Sequence, residues 1–489
     1  MKQKTKLISS IFILFTFFNS FGNENEIFTN NTPFQYEHIL APNDPNNKIY
    51  FGQSISISGN TLAVGATLPF SLEENPSGRA YIFENENNNW NQKAKLNIND
   101  GTNGDGFGTS ISISNDIVVV GAPFANVSSN IKQGKAYIFK KNGNDWNQVA
   151  ELIANDGEAG DYFGYSVFIL GKIIIIGSPD ANINGTRAQG CAYIFNGNED
   201  GTIWNQTQKL IGNDGKESDN FGWSISVSND IAIIGIPNAD IGSNQNQGKT
   251  YIFQKNGTNW NQSQILIASD GQADENFGWS VSISSDSSCI LIGAPQAYAN
   301  EDIQQGKAYI FQKNGTNWNQ SQILIANDGK LYDNFGFYVS ISSNSSWIII
   351  GAPYANVGGN NYQGKAYVFQ NNGNYWNETQ ILTKNNGKVG DEFGTTVVIS
   401  DTFAIIGSPG SDSSNGKYTE SGNVVLINDI SFIYISSSSS SKTTVIVCST
   451  VIPVVFIVGV ILTVFFIRKR RKRKQEQNST GYSKLTQTN

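Results

Sequence analysis

The chain has 489 residues, a net charge of -7 and 15% charged residues, against about 25% in an average soluble protein. One histidine, His38, and three cysteines exclude histidine-built metal centres and a disulfide-stapled scaffold, and the acidic balance gives no support to nucleic-acid binding. Asparagine fills the gap, beside 49 glycines and 12% aromatics, a mixture that reads as many short strands joined by turns.

The first segment is an address. Lys2, Lys4 and Lys6 precede an apolar stretch from Leu7 to Phe18, and small residues follow at Ser20 and Gly22. This pattern predicts a secretory signal peptide over 1–22. Residues 23–33 form an N-terminal extension, and the ectodomain runs over 34–430.

That ectodomain is one unit repeated seven times. Phe-Gly recurs at nearly even intervals, at Phe51, Phe107, Phe163, Phe221, Phe277, Phe335 and Phe393. Each is followed by a corner such as "GAP" at Gly121 or "GSP" at Gly177, and then by a strand such as "GKAYIF" at Gly134. A tryptophan opens a fourth segment at Trp90, Trp146, Trp204, Trp260, Trp318 and Trp376, and its distance to the next Phe-Gly never changes. No tryptophan follows Gly422, but Phe34 stands at that same distance before Phe51. The outer strand missing from the last unit therefore lies at the start of the domain, as a closed ring requires. Stretches like "IVVVGAP" are apolar throughout, as strands covered on both faces must be. The expected fold is all-β: a seven-bladed β-propeller of four-stranded antiparallel blades, closed by an N-terminal strand.

The Phe-Gly, the Gly-Ala-Pro corner and the Gly-x-Ala-Tyr-Ile-Phe strand resemble the FG-GAP repeats of integrin α propellers, from Phe34 to about Ile427. The resemblance implies a propeller on a surface or secreted protein, with partner binding as the expected role. Integrin-type calcium loops place several acids just before the Gly-Ala-Pro strand. Here that segment reads "SNDIVVV" or "LGKIIII", so calcium at that site does not carry over.

In an up-and-down blade, the loop before Phe-Gly and the loop after Gly-Ala-Pro share one end, called here the upper face. These loops are the longer and more varied ones, and binding residues concentrate on such loops. They also carry paired acids: Asp100 and Asp105, Asp156 and Asp161, Asp214 and Asp219, Asp270 and Glu275, Asp328 and Asp333. The seventh unit keeps Asp391 opposite Asn386, and the first has Asp44 opposite Ile49. Three readings stay open for the pairs: turn formers that cap their own backbone, a divalent-cation site for Ca2+, or an enzyme acid pair of the glycosidase kind. No "GxSxG" or "HExxH" occurs, and His38 falls on the closing strand, so no enzyme is expected. Ten sequons precede the membrane segment: Asn30, Asn126, Asn184, Asn205, Asn256, Asn261, Asn314, Asn319, Asn344 and Asn377. From Asn205 on they fall on lower turns or outer strands, where glycans would leave most of the upper face open. Cys191 and Cys289 are a whole blade apart and are expected to be unpaired.

After a Ser-rich spacer at 431–444, residues 445–467 are apolar enough and long enough for a transmembrane helix. Seven consecutive bases, Arg468 to Lys474, follow, and the positive-inside rule places the 468–489 tail in the cytoplasm. The chain thus reads as a type I membrane protein with one span. The tail sequence "GYSKL" holds Tyr482 and Leu485 in the spacing of tyrosine-based sorting signals read by clathrin adaptors. Two roles follow. One is a plasma-membrane adhesion or recognition protein that binds an extracellular protein or glycan ligand through its membrane-distal loops. The other is an endosomal or secretory-pathway receptor for lumenal cargo, recycled through Tyr482 and Leu485.

Overall fold

The structure, a computed structural model, describes residues 38–67, 78–87, 89–300, 303–413 and 416–428. The expected signal peptide, Phe34, the membrane span and the tail lie outside these residues. Within them, no helix is long and apolar enough to cross a membrane.

Seven four-stranded antiparallel sheets follow one another along the chain. Blade 2 shows the pattern, with strands Ile111–Ser114, Ile117–Ala122, Lys135–Asn142 and Asp145–Leu152. The second strand is buried at every position, because each blade is covered by a neighbour on both faces. The fourth strand alternates, as in Asn259–Leu266, where Trp260 and Leu266 are buried while Asn259 and Asn261 are exposed. In blades 1 to 6 the pairing of third and fourth strands slips by one residue beside the strand's phenylalanine, as at Ile252/Phe253. Such a bulge adds local twist. Blade 5 adds a small hairpin, Tyr298–Asn300 with Ile303–Gln304, in its upper loop.

The last blade consists of Val397–Ile399, Phe403–Ser408 and Asn423–Asn428, completed by His38–Leu40. His38 pairs with Leu426 and Leu40 with Val424. The two ends of the ring are tied further by a bridge between Phe51 and Gly422 and by the Tyr50 hydroxyl, which donates to Glu420 Oε2 at 2.7 Å. The ring closes in the expected way.

The core is not one body. It is seven apolar clusters, each straddling the junction of two blades. One joins Ala63, Ala80 and Ile82 to Val118, Tyr137 and Phe139, and the closing one joins Phe51, Leu62 and Tyr81 to Ile405, Val424 and Leu426. The Phe of Phe-Gly packs against the Tyr and Phe of its own third strand, edge-on at 5.6 and 5.7 Å for Phe51 with Tyr81 and Phe83. Polar latches run beside these clusters. The Gln208 amide donates to the Trp260 carbonyl and accepts from the Trp260 N–H, at 2.6 and 2.8 Å. The Asn130 amide donates to Gln133 Oε1 and to the Gly157 carbonyl in the loop leading to blade 3.

Both signature motifs have a steric cause. The glycine of each Phe-Gly has φ near +94°, as at Gly222 and Gly278, a conformation that L side chains rarely adopt. Its carbonyl points at the corner glycine of the preceding blade. A Cβ on Gly235 would lie 2.0 Å from the Gly278 oxygen, and one on Gly407 would lie 2.2 Å from the Gly52 oxygen. Side-chain hydroxyls reinforce the approach, with Ser224 Oγ donating to the Gly278 carbonyl at 2.8 Å and Thr396 Oγ1 to that of Gly52 at 2.7 Å.

Gly235→Ala should therefore destabilise the propeller by about 3 kcal/mol, because the new methyl meets backbone that cannot move aside. Gly257, with φ +63° and open space around it, should cost only about 1 kcal/mol as Ala. Denaturant melts of the two variants check the contrast.

Candidate functional site

The acid pairs on the upper face are held by their own blades. The first acid of each pair meets a base on the third strand that follows. Lys135 Nζ lies 2.5 Å from Asp100 Oδ2, and Lys249, Lys307 and Lys365 lie 3.1, 2.7 and 2.6 Å from Asp214, Asp270 and Asp328. Blade 3 has Cys191 at that position, and Asp156 instead takes Lys209 from the fourth strand at 2.8 Å. Asp44 is shared by Arg79 and Lys95. Tyr81, Tyr137 and Tyr367 add hydroxyl hydrogen bonds to Asp44, Asp100 and Asp328. Partial burial works against ionisation of these three, but the lysine and tyrosine hydrogen bonds hold them below the usual aspartate value. Asp156 is lowered in the same way, burial being outweighed by Lys209.

The second acid of each pair is a turn device. Asp105, Asp161, Asp219, Asp333 and Asp391 are buried. Each accepts the backbone N–H of the residue three earlier, for example Glu158 to Asp161 at 2.8 Å and Lys216 to Asp219 at 3.0 Å. Each stands between two left-handed residues, such as Gly160 and Tyr162, or Ser218 and Asn220. Glu275 follows the same pattern, bonded to the backbone of Gln272, and accepts in addition from the Tyr298 N–H of the added hairpin. Burial raises Asp161, Asp219, Glu275 and Asp333, and takes Asp161 up to about 6.

These residues do not fit a calcium site. Calcium takes roughly six to eight oxygens at about 2.3–2.6 Å, whereas here a lysine ammonium sits against the first carboxylate and the second is engaged by its own turn. Among the described residues, no group of three or more His, Cys, Asp or Glu is disposed to hold a metal ion. His38 is partly buried on the closing strand. Cys191 and Cys289 are unpaired and buried, and burial pushes both thiols up to about 12. The nine sequon asparagines from Asn126 to Asn377 are all exposed; Asn30, Tyr482 and Leu485 lie outside the described residues.

What the acids do not form, the ring axis does. First strands of successive blades touch all the way round, and their upper ends enclose a cavity of about 520 Å³. The residue two past each phenylalanine of Phe-Gly points into its mouth. Blades 3 to 6 place Tyr165, Trp223, Trp279 and Phe337 there, whereas blades 7, 1 and 2 place Thr395, Gln53 and Thr109. The rings form a continuous chain. Centroids are 4.7 Å apart for Tyr165 and Trp223, 4.8 Å for Trp223 and Trp279, and 5.6 Å for Trp279 and Phe337. It continues through Tyr354 at 5.9 Å to Tyr362 at 5.8 Å, and Tyr362 is 53% exposed on the upper surface. Leu331, Tyr332 and Val389, also exposed, stand on the acid loops of the same side. Sequence reasoning missed this arc because it weighed the loops and not the residue beside each invariant glycine. Aligning the seven units at Phe-Gly would have shown four aromatics in succession.

The sequence pattern of the FG-GAP repeat matches seven segments: 34–83, 90–139, 146–195, 204–253, 260–311, 318–369 and 376–426. The chain belongs to the FG-GAP repeat family. Each matched segment starts on or just before an outer strand and ends in the third strand of the next blade, the same one-strand offset that closes the ring. The chain is also similar to integrin alpha-2 of Mus musculus, with 30% identity over 139 residues. That stretch covers 26% of this chain and 11% of the integrin.

The raised carboxyl of Asp161 has a measurable consequence. Between its ordinary value of 3.8 and about 6, the folded chain keeps a proton that the unfolded chain has released. The stability contributed by this site therefore falls as pH rises through that window. Asp161→Asn keeps an acceptor for the Glu158 N–H and removes the charge. Relative to the parent, it should gain on the order of 1–3 kcal/mol between about pH 4.5 and pH 7.5, read from melts at the two pH values.

Proposed function

We propose that this is a single-pass surface protein whose propeller binds an extracellular protein or glycan partner through its membrane-distal upper face. It acts in adhesion or recognition as a binding protein rather than an enzyme. The observation that carries this reading is the chain of rings from Tyr165 to Tyr362, which runs from the axial cavity out onto the upper surface. Aromatic side chains that are rigid and partly exposed supply binding energy at low entropic cost, and they dominate interface hot spots. The family supports a partner-binding role in general. The apolar segment at 445–467 and the bases from Arg468 to Lys474 support the orientation, with the ectodomain outside. Sequons on lower turns and outer strands fit a glycan coat that leaves most of the upper face open, Asn126 and Asn184 being the two on upper loops.

On cells expressing the full-length chain, Trp223→Ala and Trp279→Ala should each weaken adhesion or ligand capture by about tenfold, while surface level and melting temperature stay near those of the parent. Unchanged capture by both variants would reject the upper face as the binding surface.

The second reading, a recycling cargo receptor, rests on Tyr482 and Leu485. It differs in where the protein resides: at the plasma membrane for adhesion, in endosomes for cargo transport. If the tail signal works, Tyr482→Ala should raise the surface level of a tagged full-length chain severalfold over the parent. An unchanged level removes the adaptor from the account.

A further inference from the structure

The axial cavity has two unlike walls. Along blades 3 to 6 it is lined by the aromatic arc, and Trp223 and Trp279 form its centre, inclined at 51° to each other. Across the axis, on blades 7, 1 and 2, the same register position carries Thr395, Gln53 and Thr109. One wall is therefore built of aromatic rings, and the other is mostly hydroxyls and an amide, with Phe124 of blade 2 the one ring on that side.

The polar wall retains bonding capacity. The hydroxyls of Thr109 and Thr395 donate to the carbonyls of Gly106 and Glu392 at 2.7 and 2.8 Å, which leaves their oxygen lone pairs able to accept. The Gln53 amide brings two donors and an acceptor from this wall, and Gln296, on the upper loop of blade 5, brings the same from the aromatic side. Charge is scarce. Among the described lining residues there is no lysine or arginine, and Glu392 is the one carboxylate. A sulfate, phosphate or sialic acid would find no counter-ion here.

We propose that this cavity is the binding site for a neutral saccharide, the terminal part of an oligosaccharide chain. A pyranose ring has the matching asymmetry. One face carries C–H groups with little polarity, which lie favourably against the electron-rich face of an indole. The edge carries hydroxyls that need both donors and acceptors. A cavity of about 520 Å³ falls within the range of ligand pockets, roughly 300–1,000 Å³. The inference rests on the upper face being the partner-binding surface, and it names the chemistry of what enters at the axis. Trp223 and Trp279 are the stacking platform, and Gln53, Thr109, Gln296 and Thr395 read the hydroxyls.

Calorimetric titration of the purified full-length chain tests this with lactose, maltose and N,N′-diacetylchitobiose and their longer oligomers, and with sialyl-lactose and a sulfated disaccharide as charged comparators. At least one neutral series should bind saturably. Trp223→Ala and Trp279→Ala should each weaken it by about tenfold or more. Thr109→Trp, which fills the opposite wall and leaves the aromatic arc intact, should do the same while melting like the parent. Failure of every neutral oligosaccharide, binding restricted to the charged glycans, or binding that all three variants retain would overturn the assignment. If Trp223→Ala abolishes cell capture while no saccharide binds, the upper-face reading stands and the saccharide assignment fails.

Discussion

The close approach of backbone to backbone around the ring axis governs this molecule. At every blade junction, the carbonyl of the next Phe-Gly glycine occupies the volume where a Cβ on the corner glycine would stand, as at Gly121 with Gly164 and Gly351 with Gly394. That contact sets how near the first strands come and therefore how wide the axis is. The apolar clusters then fill the space that opens outward between the sheets. A core divided into seven interfaces gives no blade a complete core of its own, and stability accrues through neighbours, as in other repeat folds. Closure removes the two ends at which such an array would otherwise leave an apolar face uncovered.

Much of this was legible in the amino-acid sequence because the constraint repeats. A glycine required by contact with the next blade, and another required by a positive φ, recur at each turn of the chain and make the units align themselves. The displaced outer strand was legible too, since a missing Trp segment at one end and a spare strand at the other have one simple resolution. The roles of the acids were harder to read. Asp161 and Asp219 occur in a pattern that suits a cation as well as a turn, and sequence spacing does not show that Lys209 or Lys249 reaches in from another strand to meet a pair. The aromatic arc was missed for a different reason. Its members Tyr165, Trp223, Trp279 and Phe337 come from four separate blades, each a whole repeat away from the next along the chain. They become neighbours only because the ring brings equivalent positions to a common axis.

The ring therefore separates two kinds of repetition. The Phe-Gly pair and the corner glycine keep one residue type, because each junction poses the same steric problem, while the apolar residues that fill the junctions range from Ala232 to Leu62. Positions that face the axis are free to differ, because no close approach of backbone dictates them, and the residue after each Phe-Gly varies from glutamine to tryptophan around the ring. Glu392 and Tyr162, both with left-handed backbone, show that bulky side chains occupy even the strained site before Phe-Gly. Specific recognition can be built there without disturbing the frame.

The shared last blade also shapes how the chain can fold. His38–Leu40 pairs with residues near the end of the propeller, and the Tyr50–Glu420 contact joins positions 370 residues apart. Contacts of such separation form late, since the loop they close is unfavourable until local structure has shortened it. During synthesis the first strand must remain unpaired while the blades are made in order, with its partner edge not yet in existence. The closing strand is thus a timing element: the ring is sealed only after the seventh sheet has emerged, and a chain stopped before Asn423 would leave it without a partner.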